Sequence, residues 1–291
     1  MSQPQDLTVA ERIRQKFDTL TRAERQLANA ILENYPVSGL GGITALAESS
    51  DVSPPTVVRM SKKLGYKGFP ELQAMLRAEV EASILNPISK HNRWTEGAPD
   101  THLLNLFADA VMDNMRQTLR HLDLNEFNAV VNLLSDKNRT IHVLGGRLTR
   151  SLADYFFTHM QVIRDHLTLV AANSNTWPHY VLNMNAGDVL VVFDIRRYER
   201  EILNLAEIAT SKGVTVILFT DQWGSPVSKY ATHSFHSRIE APSAWDSSVV
   251  TMFIVETVIA AVQTENWDET RERMNTLESL FDKSKLFKKF T

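Results

Sequence analysis

From Leu7 to about Ala82 apolar residues recur at helical spacing, in short runs punctuated by Gly, Pro and Ser, with no strand-type alternation between them. The pattern predicts a small all-helical domain. Thr21-Arg22-Ala23-Glu24 reads as a capping box, in which Thr21 satisfies a free amide at the helix start and Glu24 reaches back to the cap. The helix it opens is expected to end near Tyr35-Pro36. Residues 43–50 read as a short helix and Asp51-Val52 as a turn. Ser53-Pro54 opens another helix, because Ser caps well and Pro is tolerated at the first helical position. Gly65 closes it. Residues 86–99 hold Pro87, Gly97 and Pro99 among polar residues and read as a linker. Helices are expected at 101–121 and 125–134, and then the pattern changes. Segments 140–144, 167–170, 188–193, 214–219 and 232–238 are strand-like, and helix-length segments separate the first four. Such alternation implies parallel strands with crossover helices, a doubly wound α/β domain in flavodoxin-like order. Helices at 247–262 and 268–287 close the chain. The division expected is 1–85 helical, 86–99 linker and 100–291 α/β.

Composition narrows the classes. The chain has 291 residues, 43% of them hydrophobic and 22% charged, which fits two globular domains and excludes disorder or collagen. Its longest apolar runs are strand-sized, far short of the roughly 20 residues of a bilayer span, so no membrane partner is expected. The first ten residues lack the basic-then-apolar order of a secretory signal. There is no cysteine, which removes thiolate chemistry, and a cytoplasmic location fits. Nine histidines include no HExxH and no close pair at ligand spacing. No metal, cofactor or catalytic residue is therefore assigned.

The net charge is only −3, but its distribution is uneven. Between Val52 and Pro70 stand four basic residues, Arg59, Lys62, Lys63 and Lys67, and no acidic one. In the helix opened by Ser53, Val57, Met60 and Leu64 form an apolar stripe, while Thr56, Arg59, Lys62 and Lys63 lie toward the other side. A helix with lysines on its wet face is the plain reading. The preceding short helix and turn give the segment the layout of a helix-turn-helix, whose basic face is the electrostatic footprint of phosphate contacts. Ser53-Pro54-Pro55-Thr56-Val57-Val58-Arg59 and Lys63-Leu64-Gly65-Tyr66-Lys67-Gly68-Phe69 closely resemble the DNA-binding domain of the RpiR/MurR family of bacterial transcriptional regulators. The resemblance runs from about Thr21 to Glu79. It implies a recognition helix from Ser53 to Lys63, including Pro55, entering the major groove of an operator, with Thr44, Lys62 and Lys67 on phosphates.

In doubly wound sheets ligands bind beyond the carboxyl ends of the strands, where loops and helix N-termini offer amides. Two such loops stand out: Gly145-Gly146-Arg147-Leu148-Thr149 and Asp194-Ile195-Arg196-Arg197-Tyr198. The stretch from Thr140 to Val262 resembles the sugar isomerase (SIS) domain, the usual partner of this DNA-binding domain. In that family the loops read Gly-x-Gly-x-Ser and Ser-x-Ser-Gly-x-Thr and surround a sugar phosphate. Here Arg147 stands at the second glycine position and Thr149 at the serine position. Asp194, Arg196, Arg197 and Glu199 stand at the Ser, Ser, Gly and Thr positions. An aspartate among anion-binding amides repels a phosphate unless a cation neutralises it. One reading pairs Asp194 with Arg147 or Arg196 and closes a disused pocket; the other retunes the pocket for a different anion, such as a carboxylate held by an arginine fork. Alternation at a strand end turns only one of Arg196 and Arg197 inward. Trp177, Trp223 and Trp245 are candidates for the pocket mouth or the core, and Glu199 and Glu201 read as first-turn helix residues.

The function expected is a ligand-responsive DNA-binding regulator without enzymatic activity, sensing a small anionic metabolite (a sugar phosphate or a sugar or carboxylic acid) and acting as a homodimer or homotetramer on duplex operator DNA. A sugar-phosphate isomerase is the alternative, and an architectural DNA-binding protein a third. The C-terminal stripe Met274, Leu277, Leu280 and Phe281 serves either subunit contact or intrachain packing.

Overall fold

The computed structural model describes residues 7–84, 86–95 and 102–287. Five helices make the N-terminal unit: α1 (Val9–Lys16), α2 (Arg22–Glu33), α3 (Ile43–Ser49), α4 (Pro54–Lys63) and α5 (Phe69–Ile84). The Thr21–Glu24 capping box is present, and Thr8 with Glu11 makes a second one at α1. Val57, Met60 and Leu64 are buried against Leu27 and Ile31 of α2, Leu46 of α3 and Leu72 and Leu76 of α5 in one apolar core. The stretch expected to be an aperiodic linker instead carries helix α6 (Pro87–Thr95). Pro87 opens that helix, a position where its missing N–H costs nothing, so a residue taken for a breaker is a start signal.

Helices α7 (Leu103–His121) and α8 (Leu124–Ser135) lead into a five-stranded parallel sheet, β1 (Ile141–Gly145), β2 (Leu167–Leu169), β3 (Val189–Phe193), β4 (Thr215–Asp221) and β5 (His233–Ser237), in the order β2-β1-β3-β4-β5. α9 (Arg150–Ile163), α10 (Trp177–Asn183) and α11 (Arg200–Ser211) are the crossovers; α12 (Val249–Glu265) and α13 (Trp267–Ser284) follow β5. Both faces of the sheet are covered, so β1 and β3 are buried at every position, and alternate residues feed two cores. Ile141, Val143, Val189, Val191 and Phe193 pack with α8, α9 and α12, while Leu144, Leu190 and Val192 pack with α10 and α11. Buried Arg164, at the end of α9, donates to the carbonyls of Leu134 (2.6 Å) and Asp136 (3.0 Å) and pins α8 to this layer. Among the described residues no single helix is long and apolar enough to cross a membrane; α12 with α13 passes by length and composition only as a pair bent by 100°.

The strand order reverses between β1 and β3, which pair with Gly145 opposite Phe193. The loops leaving these two strands therefore diverge to opposite faces and open a crevice at their carboxyl ends. The sheet alone brings the two loops singled out in the sequence together.

Candidate nucleic-acid interface and effector pocket

α3, the turn through Asp51 (φ 50°) and α4 form the helix-turn-helix. Thr44, Ser53, Pro55, Arg59, Lys62 and Lys67 are all exposed on it. Two residues expected on the same surface are not. Thr56 is buried: its hydroxyl lies 3.0 Å from that of Ser53 and accepts from the Arg59 guanidinium at 3.0 Å, so the first turn of α4 folds onto its own cap. Lys63 pairs with Glu24 of the capping box at 3.0 Å and donates to the carbonyl of Thr19. The pairing and the capping-box amide hold the Glu24 carboxyl below its ordinary range, against the burial that raises it. The Lys63 ammonium thus fastens α4 to α2. The exposed cations left on the face are Arg59, Lys62 and Lys67, suited to a negatively charged duplex.

At the sheet's switch point lies a cavity of about 680 Å³, lined by Gly146, Arg147, Thr149, Asp194, Arg196, Arg197 and Glu199 from the loops, Trp245 and Asp246 from the segment before α12, and Pro87 and Lys90 from α6. Gly145 and Gly146 are required by close approach: a Cβ on Gly145 would meet the Thr149 carbonyl oxygen at 2.6 Å, and one on Gly146 the Glu199 carboxylate at 2.6 Å. Thr149 folds its hydroxyl back, accepting from Gly146 N–H (2.8 Å) and donating to the Phe193 carbonyl (2.6 Å).

The second loop bends through two consecutive left-handed residues, Arg196 (φ 45°) and Arg197 (φ 56°), a conformation that costs L-residues of order 1–2 kcal/mol each. The bend sends Arg196 inward and leaves Arg197 exposed. The Arg196 N–H binds the Asp221 carboxylate at 2.8 Å, and its guanidinium lies 4.2 Å from the centroid of the Trp223 ring. The guanidinium also forks onto Asp246 (2.9 and 3.1 Å) and donates to the carbonyl of Ala82 in α5. Lys90 of α6 reaches the same Asp246 and donates to the Trp245 carbonyl at 3.0 Å. Tyr198 donates its hydroxyl to Asp221 at 2.8 Å. Neither pairing considered for Asp194 forms. That carboxylate, 2% exposed, accepts from the Ser225 hydroxyl, and burial pushes it up to about 7, with nearby Asp221 and Glu199 adding to the rise against the Ser225 and Glu199 hydrogen bonds. The Arg147 N–H donates to Glu199 at 2.6 Å while its side chain is exposed.

Lys90, Asp246 and the Glu199 contact escaped the sequence reading. Lys90 sat in the presumed linker and Asp246 in an unpatterned stretch, so no local signal marked them. Trp245 lines the cavity, Trp223 lies beneath Arg196, and Trp177 belongs to the core on the α10–α11 face. Among the described residues no group of three His, Cys, Asp or Glu is placed to hold a metal.

The two units also meet at Glu11, which receives the Arg238 guanidinium (Nε at 3.0 Å), and at Arg14, 3.1 Å from His236 Nε2. His236 Nδ1 in turn lies 3.2 Å from the Asp221 carbonyl.

The fold places an N-terminal helix-turn-helix unit ahead of a doubly wound α/β domain. Residues 7–83 match the helix-turn-helix domain of the rpiR family, and residues 133–261 match the SIS domain; the chain belongs to the RpiR family of transcriptional regulators. It is 28% identical over 223 residues to the HTH-type transcriptional regulator HexR of Pseudomonas aeruginosa, covering 76% of each chain. In fold it is similar to the Vibrio vulnificus NanR protein, solved in complex with ManNAc-6P, with a TM-score of 0.55 at 18% identity over 94% of this chain and 97% of that one. The sugar isomerase domain of the Sphaerobacter thermophilus RpiR transcription factor covers 60% of this chain and 97% of that one, with a TM-score of 0.56 at 18% identity.

Two outcomes are expected from this geometry. Arg59→Ala costs about 1–3 kcal/mol per half-site and relaxes preference at one base position, whereas Lys62→Ala weakens all sequences alike and flattens the salt dependence. Gel shifts across a set of operator variants check this, and an Arg59→Ala protein with unchanged affinity and preference contradicts it. Asp194 keeps in the folded state a proton that the unfolded chain releases near pH 4. Its folded pKa is raised, so the folded state binds more protons and this group subtracts stability as pH climbs from about 4 to about 7. Asp194→Asn removes that penalty, so the melting temperature of the variant relative to the unsubstituted protein rises between about pH 4 and about pH 7. A difference independent of pH contradicts the assignment.

Proposed function

We propose that this RpiR-family regulator binds duplex operator DNA through α4, as a homodimer or homotetramer, and that a small anionic metabolite in the cavity at the β1–β3 switch point changes that binding. One observation carries the reading: the cavity of about 680 Å³ is walled on one side by the sheet's loops and on the other by α6, the helix that follows the DNA-binding unit. A ligand there touches both halves of the chain. Thr44, Ser53, Pro55, Arg59, Lys62 and Lys67 form the DNA surface, with Thr56 and Lys63 supporting it from behind. Two copies present two recognition helices to half-sites about a helical turn, or a multiple of it, apart. The C-terminal stripe is available for the contact, since Leu280 is exposed and Met274, Leu277 and Phe281 are only half-buried. The chain acts as a regulator and not as an isomerase, a reading supported by the DNA-binding unit and by two cations of the cavity, Lys90 and Arg196, being spent on Asp246.

The anionic class follows from charge. Arg147 and Arg197 line the same cavity, are exposed, and have no ion-pair partner among the described residues. A ligand acid group supplies the charge they lack. The NanR protein bound to ManNAc-6P supports a phosphorylated or acidic sugar as the chemical class.

The test is thermal stabilisation by a panel of sugar phosphates, sugar acids and neutral sugars, repeated with single alanine substitutions. A charge-assisted hydrogen bond contributes roughly 1.5–3 kcal/mol, so Arg147→Ala and Arg197→Ala each weaken the best acidic ligand about tenfold or more. Preferential stabilisation by a neutral sugar, unchanged in both variants, contradicts the reading.

A further inference from the structure

The inner end of the cavity is already occupied by a carboxylate of the chain itself. Glu199, the residue before α11, crosses the crevice from the second loop to the first, and its Oε1 accepts the Arg147 N–H at 2.6 Å. The same oxygen lies 2.6 Å from where a Cβ on Gly146 would fall, so Gly146 is the residue that admits it. The preceding amide, Gly146 N–H, is satisfied by the Thr149 hydroxyl at 2.8 Å. Successive amides at the start of a helix form a concavity that binds an anionic oxygen; here both are filled from within. A second anion brought to this place would lie beside both Glu199 and buried Asp194 without gaining either amide. Carboxyl oxygens accept hydrogen bonds from hydroxyl groups without such a conflict.

The cations divide the cavity in the same sense. Lys90 and Arg196 are both bound to Asp246, whereas Arg147 and Arg197 are exposed lining residues with no ion-pair partner among the described residues. The acidic inner end and the basic rim leave one orientation for a ligand carrying both hydroxyls and an acid group.

Building on the effector-pocket reading, we propose that Glu199 is an internal plug of the Arg147 amide in the first loop, and that the ligand enters with its neutral hydroxyl-bearing end against Glu199 and Asp194 and its acid group on Arg147 and Arg197. Glu199 is thereby a specificity residue. It rejects a small dianion such as free phosphate from the inner amides and selects for molecules long enough to reach the rim.

The probe is inorganic phosphate, titrated calorimetrically into the full chain and two variants. Glu199→Ser removes both the charge and the reach while keeping a residue suited to a helix N-cap; Glu199→Gln keeps the shape and the acceptor on Arg147 N–H but not the charge. With the Arg147 amide freed for a charge-assisted bond and the carboxylate charge removed, Glu199→Ser binds phosphate at least about tenfold more tightly than the unsubstituted protein, and Glu199→Gln gains less. A folded Glu199→Ser protein that binds phosphate no more tightly overturns the proposal. If that variant does not fold, Glu199→Gln decides in its place, and an unchanged or weakened affinity there overturns it equally. The effector-pocket reading fails separately, through Arg147→Ala and Arg197→Ala leaving the acidic ligands of the panel unaffected.

Discussion

The fork of Arg196 onto Asp246 organises the cavity and joins the two halves of the chain. Both side chains are largely withdrawn from water, and the pair is completed by the Trp223 ring, the Asp221 carboxylate on the Arg196 amide, the Ala82 carbonyl of α5 and the Lys90 ammonium of α6. Two cations share one carboxylate, so removing Asp246 strands both; breaking a buried pair in this way costs on the order of 3–5 kcal/mol. The left-handed backbone at Arg196 and Arg197 is tolerable in that setting, because the contacts made by the inward guanidinium offset a strain that a loop without them would not sustain. Of the cavity's arginines, Arg196 hydrogen-bonds the helix that ends the DNA-binding unit, at the Ala82 carbonyl.

The remaining polar groups of the switch point follow from the same crowding. With Arg196 committed elsewhere, Asp194 has no cation partner among the described residues and is buried against Ser225, near Asp221 and Glu199, which favours its protonated form near neutral pH. Glu199 turns away to the Arg147 amide. The result is a cavity whose acids lie deep and whose unpaired cations lie outside. A second contact line, from Asp221 through His236 to Arg14 of α1, runs parallel to the first. The first reaches α5, which packs against α4, and the second reaches α1, whose Val9 and Ile13 belong to the same core.

The periodicities that mark α2, α4 and the five strands were legible because each element buries one face or both, and burial writes itself into the sequence. The meeting of the loops after β1 and β3 was legible too, since a parallel sheet puts both at the carboxyl end of the strands. What the pattern concealed was every contact made across long separations. Lys90 and Asp246 are 156 residues apart, and Lys63 and Glu24 are 39 apart; no local spacing records either. Lys63 therefore reads as a solvated lysine although it fastens two helices. Thr56 misled for another reason, because the helical wheel gives direction but not depth, and in the first turn of α4 a short hydroxyl folds back onto Ser53. Pro87 signalled a break where it starts a helix. Asp194 lines the cavity, as its place at a strand end implies, but the partner that satisfies it, Ser225, lies beyond the next strand.

If the Arg196–Asp246–Lys90 cluster carries the state of the cavity to the DNA-binding unit, cutting it on the α6 side must separate ligand binding from response. Lys90→Met leaves the Arg196–Asp246 pair in place and removes only the tie to α6. Fluorescence anisotropy with a duplex selected from a random pool by the unsubstituted protein, with and without the strongest acidic stabiliser, reads the response, while calorimetry reads ligand affinity. The structure predicts that the variant still binds the ligand but that its operator affinity changes less on ligand addition than that of the unsubstituted protein, since only the Arg196 tie to the Ala82 carbonyl of α5 is left. A folded Lys90→Met protein that binds the ligand and keeps the full change in operator affinity would contradict the coupling.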